Sequence, residues 1–157
     1  MNIEETVDYH IRATLFKMMR MYNLYAAENG ITQGIGYVLI LIKEEGVPAT
    51  KIAPLMGMGT SSLTRLLKTM ETDGLIYRQP DEQDRRVVRI FLTEKGQQLR
   101  EKAKTVVLNF NEKLFGQISK KEMGTFAKVT SIIRDQIENE IAIFQQNNIS
   151  KKSLINK

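Results

Sequence analysis

Cysteine is absent from the 157-residue chain, histidine occurs once, at His10, and proline only at Pro48, Pro54 and Pro80. Without a thiol the chain forms no disulfide, holds no Cys-ligated zinc or iron–sulfur centre and runs no thiolate chemistry. A single imidazole leaves little for a metal site, so neither metal nor cofactor is expected. A chain of this length buries roughly 68–70% of its unfolded surface and needs no covalent staple. Long hydrophobic runs are also missing. The longest purely apolar stretch is the six residues from Tyr37 to Ile42, whereas a membrane helix needs about 20. The chain opens MNIEE, acidic where a secretory leader is basic. These absences predict a soluble, cytoplasmic protein with no membrane partner. No Pro-rich or Gly/Ser-rich linker interrupts the chain, so one domain is expected.

Charge of one sign is in modest excess. Lys plus Arg number 23 and Asp plus Glu 18, a net charge of +5, which makes a polyanion the first partner class to test. The excess does not by itself mark a site: residues 47–96 hold 8 basic and 6 acidic side chains, and residues 97–157 hold 11 and 6.

Periodicity gives the elements. From Thr6 to Ala27, Val7, Ile11, Leu15, Met18, Met19, Tyr22 and Tyr25 recur at helical spacing and stop at Asn29-Gly30. Thr32 can cap a second helix running to Glu45, expected to be central because it is apolar all round, although the run Tyr37 to Ile42 reads equally as a buried strand. A short helix follows over Val47 to Met56, and a longer one over Thr60 to Asp73 that Gly74 closes. Two β-prone runs, Leu75 to Arg78 and Val87 to Leu92, flank the charged segment Gln79 to Arg86 and predict a hairpin. Thr93 opens a helix with Leu99, Ala103, Val106, Val107, Phe110 and Leu114 on one stripe. Ser119 to Glu122 is a capping box for a last helix striped by Met123, Phe126, Val129, Ile133, Ile137, Ile141 and Phe144. Residues 147–157 lack this period and are expected to fray.

A mainly α chain with a small β-hairpin, in the order short helix, turn, longer helix, charged hairpin, has the layout of a winged helix-turn-helix. On the longer helix Leu63, Leu66, Leu67 and Met70 share one face, and Ser61, Thr64, Arg65, Lys68 and Thr72 the other. Its only acids, Glu71 and Asp73, come in the last turn. That leaves the N-terminal half fit to enter a major groove, with Arg65 able to bond a guanine bidentately. Arg85, Arg86 and Arg89 on the hairpin suit a narrow minor groove, although Asp81, Glu82 and Asp84 beside them weaken a reading from charge alone.

Motifs sharpen the reading. Asp84-Arg85-Arg86 followed by Leu92-Thr93 and Gly96 resembles the D-x-R…L-T-x-x-G wing signature of the multiple-antibiotic-resistance regulator (MarR) family, and Gly74-Leu75 matches its G-L. Ile52-Ala53, Leu55 and Ser61 to Arg65 fit the two preceding helices, and the resemblance spans residues 5–146. It implies one domain with dimerisation helices at 5–30 and 97–146 around a DNA-binding module at 31–96. It also implies that Ser61, Ser62, Thr64, Arg65 and Lys68 read the major groove. In the wing, Asp84 orients Arg86 into the minor groove, beside Arg85 and Arg89.

The resemblance further implies a homodimer on double-stranded DNA, acting as a repressor that a small aromatic or phenolic effector releases. Tyr9, His10, Arg12, Tyr22 and Tyr37 are the candidate effector residues, although packing is the favoured explanation for each of them. The competing interpretation is a helical protein-interaction module that keeps the winged fold. Such a surface needs exposed aromatic or aliphatic anchors, and the recognition face carries none. No nucleophile–base pair, metal spacing or phosphate-binding glycine loop supports an enzyme.

Overall fold

The computed structural model describes the backbone of residues 2–155 and the side chains of residues 2–148. A short 3-10 turn at Ile3–Glu5 precedes helix α1 (Val7–Ala27), α2 (Gln33–Leu41), strand β1 (Val47–Pro48), α3 (Ala49–Met56), α4 (Thr60–Thr72), β2 (Ile76–Pro80), β3 (Val88–Leu92), α5 (Glu94–Phe115) and α6 (Lys120–Ile155). Residues 1–109 and 110–157 form two compact units.

Local chemistry starts the helices where the sequence places them. The Thr6 hydroxyl accepts the Tyr9 N–H at 3.3 Å, and Thr32 does the same for Ile35. At Ser119 both halves of the capping box form: the Glu122 carboxylate accepts the Ser119 N–H at 2.8 Å, and Ser119 Oγ accepts the Glu122 N–H at 3.2 Å. The Ser119 hydroxyl also donates to the Glu122 carboxylate at 2.6 Å, and this bond, followed by the Ser119 N–H, holds the Glu122 carboxyl below its ordinary pKa.

Three boundaries differ from expectation. Helix α2 ends at Leu41, not Glu45, because Ile42 turns extended and its carbonyl accepts a guanidinium N–H of Arg100 at 3.2 Å. Val47 and Pro48 are not helical but pair with Ile90 and Arg89, giving an antiparallel sheet in the order β1-β3-β2. Proline is tolerated there because β1 is an edge. The last helix also runs beyond its apolar stripe, α6 continuing to Ile155 through part of the segment expected to fray. Neither glycine nor proline occurs after Gly124 to stop it. Residues 156–157 lie outside the described residues.

The core of the first unit draws Ile35, Val38, Leu39 and Ile42 from α2 and its end, Ile52 from α3, Leu63, Leu67 and Met70 from α4, and Leu75, Ile76, Ile90 and Leu92 from the sheet. Each contributes about 1.5–3 kcal/mol on full burial. As its all-apolar surface predicts, α2 lies at the centre.

One junction fixes where the hairpin leaves and returns. Gly74 adopts φ 67° to end α4, and the Leu75 N–H bonds back to Met70 O at 2.9 Å. Thr93 then takes both exposed carbonyls: its hydroxyl donates to Gly74 O at 2.6 Å and its N–H to Leu75 O at 3.1 Å. The same hydroxyl accepts the Gly96 N–H at 3.1 Å and so starts α5. Gly96 lies against the Leu75 carbonyl so closely that a Cβ has no room. Gly96→Ala is expected to cost about 1–3 kcal/mol by forcing this backbone apart; an unchanged urea midpoint would refute the close approach.

Candidate nucleic-acid interface

Helix α4 divides as its period requires. Leu63, Leu67 and Met70 are buried and Leu66 is half-buried, while Ser61, Ser62, Thr64, Arg65, Lys68 and Thr72 are exposed. The first turn holds no acid and the Gly59 N-cap supplies no side-chain bond, so the helix dipole there favours an anion. Thr64 Oγ1 donates to Thr60 O at 2.9 Å, which leaves its lone pairs outward and makes it an acceptor for base amino groups. Arg65 and Lys68 form no ion pair with any described residue. Glu71 is paired with Arg78 of β2 at 3.0 Å, so the helix's first acid is neutralised from the wing strand.

The wing pairs Ile76 with Leu92 through Pro80 with Val88, leaving residues 81–87 as its tip. Asp81 organises this tip. Its Oδ1 accepts the N–H groups of Gln83 at 2.9 Å and Asp84 at 3.1 Å, and its Oδ2 accepts Arg89 Nη1 at 2.7 Å. The Arg89 hydrogen bond, followed by the two backbone N–H groups, holds the Asp81 carboxyl below the usual carboxylate range.

The expected site residues thus fall into two sets. Arg85 and Arg86 stand exposed at the tip, and neither guanidinium is paired among the described residues. Arg89 was expected with them but faces inward instead, bonding Asp81 and also Glu45 O at 3.1 Å and Gly46 O at 3.2 Å. Asp84, expected to orient Arg86, meets it at the backbone: its Oδ1 accepts the Arg86 N–H at 3.0 Å. The partners Arg78 and Asp81 were missed. In the antiparallel register Arg89 faces Gln79, so Asp81, two residues on from Gln79, is its diagonal neighbour on the same face.

The candidate effector residues do not form one site in a single chain. Tyr9, His10 and Arg12 are exposed near the start of α1, with the Tyr9 and His10 rings edge-on at 5.6 Å. Tyr22 lies about 20 Å further along α1, where burial raises its phenol pKa. Tyr37 is on α2, 41% exposed. None of the five lines the open groove on the first turns of α6, which is formed by Ser119, Lys121, Glu122, Thr125, Phe126 and Val129. Among the described residues no group of His, Asp and Glu is placed to hold a metal, and no helix is long and apolar enough to cross a membrane.

Because Asp81 is held ionised by its partners, the bonds it makes are complete above the ordinary carboxylate range and are lost as pH falls through its lowered pKa. In a carboxyl NMR titration Asp81 should therefore ionise below that range, and Arg89→Met should move it part of the way back up. An unmoved midpoint in Arg89→Met would contradict the assignment.

Residues 36–88 match the MarR family. The organic hydroperoxide resistance transcriptional regulator of Bacillus subtilis is 34% identical over 104 residues, covering 66% of this chain and 71% of that protein. The HTH-type transcriptional regulator TtmR of Methylorubrum extorquens is 30% identical, over 64% of this chain and 52% of that one. Among solved structures, a Staphylococcus aureus MepR–DNA complex superposes with a TM-score of 0.76 at 25% identity, covering 85% of this chain and 99% of that one. A Listeria monocytogenes MarR-family regulator bound to a 26mer DNA shares the fold with a TM-score of 0.77 at 18% identity, over 87% and 91%. The winged helix-turn-helix that the motifs of the sequence implied is the one these proteins share, and the chain belongs to the MarR family of DNA-binding transcription regulators.

Proposed function

We propose that the chain is a homodimeric repressor that reads a palindromic operator with Ser61, Ser62, Thr64, Arg65 and Lys68 of α4 in the major groove and Arg85 and Arg86 of the wing in the minor groove. The observation that carries this reading is how the charges are sorted. Of the wing arginines, Arg78 and Arg89 have internal partners, and Arg85 and Arg86 have none among the described residues. The acids once expected to cancel the wing's field are partly accounted for: Asp81 is matched by Arg89, and Asp84 is turned onto backbone N–H. Arg65 and Lys68 on α4 and Arg85 and Arg86 on the wing remain outward and without an ion pair among the described residues, beside the exposed Glu82, as the cations on two projections that groove insertion requires.

Dimerisation rests on apolar surface that one chain leaves uncovered. On α1, Val7, Ile11, Leu15, Phe16 and Leu24 are exposed, and on α6 Phe126, Ile132, Ile137, Ile141 and Phe144 are. No described side chain of α6 is buried. A helix with so little tertiary cover is marginal in water and calls for a partner. This supports residues 5–30 and 97–146 as the dimerisation elements and 31–96 as the reading module. Two-fold symmetry then places the recognition helices about one DNA turn, 34–36 Å, apart.

Regulation is by non-covalent binding in this reading. Peroxides act on proteins by oxidising thiolates to sulfenic acids, and this chain has no thiol. Since Tyr9, His10, Arg12, Tyr22 and Tyr37 do not converge in one chain, an aromatic or phenolic effector held by them needs the second chain to complete its site. Its leverage on DNA is its differential affinity for the DNA-competent and incompetent dimers.

Selection of bound fragments from random DNA should enrich a palindrome; enrichment of none would reject the reading. On that operator Arg65→Ala should cost about 1–3 kcal/mol and relax specificity at one position per half-site. Arg86→Ala should weaken binding and make the salt slope shallower by about 1. Ile137→Asp should sediment as a monomer, and a dimer of unchanged affinity would exclude α6 from the interface.

A further inference from the structure

Arg89 stands at the base of the wing tip with its side chain 26% exposed, and its guanidinium makes more defined bonds within the chain than any other described on the wing. Nε, Nη1 and Nη2 each have a separate acceptor: Glu45 O, Asp81 Oδ2 and Gly46 O, at 3.1, 2.7 and 3.2 Å. Two of these acceptors are main-chain carbonyls in the turn between α2 and β1, more than forty residues away in sequence. The same stretch is held from α5, where Arg100 donates to Ile42 O. On the other side Asp81 uses its second oxygen to close the tip turn on Gln83 and Asp84, and Asp84 holds the Arg86 N–H. A continuous set of hydrogen bonds therefore runs from the α2–β1 turn through Arg89, Asp81 and Asp84 to Arg86.

We propose that Arg89 is a positioning residue for DNA binding, which touches no DNA itself but fixes the height and angle at which Arg86 meets the minor groove. The inference rests on the minor-groove reading of the wing given above. A two-stranded hairpin is marginal by itself, and a tip free to move must be ordered on binding at an entropic cost. Anchoring it to the body of the module beforehand removes that cost. Only a planar guanidinium spans three acceptors in this arrangement; a lysine ammonium keeps the charge and loses the fork.

The test is a double-mutant cycle on the full-length protein and its selected operator, by fluorescence anisotropy across a salt series, with wild type, Arg86→Ala, Arg89→Lys and the double variant. Arg89→Lys should weaken binding about tenfold and flatten the salt slope as Arg86→Ala does. Added to Arg86→Ala it should cost less than about twofold more. Asp81→Asn gives a second readout with opposed expectations. Removing an acid near DNA tightens binding if charge alone matters, whereas loss of the anchor weakens it. It also serves if Arg89→Lys does not fold. Additive losses in the double variant, or tighter binding by Asp81→Asn, would overturn the inference. If Arg86→Ala itself leaves affinity and slope unchanged, the wing reading falls and this inference with it.

Discussion

Two carbonyl groups, those of Gly74 and Leu75, hold together helix α4, the wing and the start of α5. They follow the end of α4, and Thr93 returns from the far side of the hairpin to bond both. The wing therefore starts and finishes at one point. Its length and angle are measured from the C-terminus of the recognition helix, and α5 begins from the same hydroxyl. Gly96 closes the arrangement, because any larger residue separates the helix from the Leu75 carbonyl. Threonine and glycine at this three-residue spacing have a mechanical reason: one supplies a donor and a cap, the other room.

Electrostatics are arranged around that junction by pairing. A hairpin with four arginines and several acids has no obvious polarity, and net charge says little about which groups face a ligand. Pairing removes Arg78 with Glu71 and Arg89 with Asp81, both exposed to water in part and worth little as stability alone. Their consequence lies in direction. Arg78 and Arg89 are engaged within the chain, Glu71 and Asp81 are matched by them, and Arg65, Lys68, Arg85 and Arg86 are left exposed without an ion pair among the described residues.

Unlike the module, the long helices bury little of their apolar surface within a single chain. The Leu99 to Leu114 stripe of α5 is half-buried throughout, while most of the stripe of α6 is exposed. A hydrophobic period of this strength without cover is the physical argument for a second chain. It also explains why the candidate effector residues look scattered: Tyr9, His10 and Arg12 sit on a helix whose apolar neighbours Val7, Ile11 and Leu15 are themselves uncovered.

Much was legible from the sequence because much of it is local. Caps at Thr32 and Ser119, the left-handed turn at Gly74 and the 3.6-residue period of α4 depend on residues a few positions apart, and each is formed as read. So is the exposed set from Ser61 to Lys68, since a helix wheel needs no tertiary information. The continuation of α6 to Ile155 is equally local, since neither glycine nor proline follows Gly124 to stop a helix. What tertiary structure alone decided is non-local. Strand β1 is two residues long, too short to show a period, and exists because β3 offers it partners. Helix α2 stops early because Arg100, 58 positions away, takes the Ile42 carbonyl. Arg89 was counted with the groove-facing cations because an arginine's sequence neighbours do not reveal which distant carbonyls will surround it.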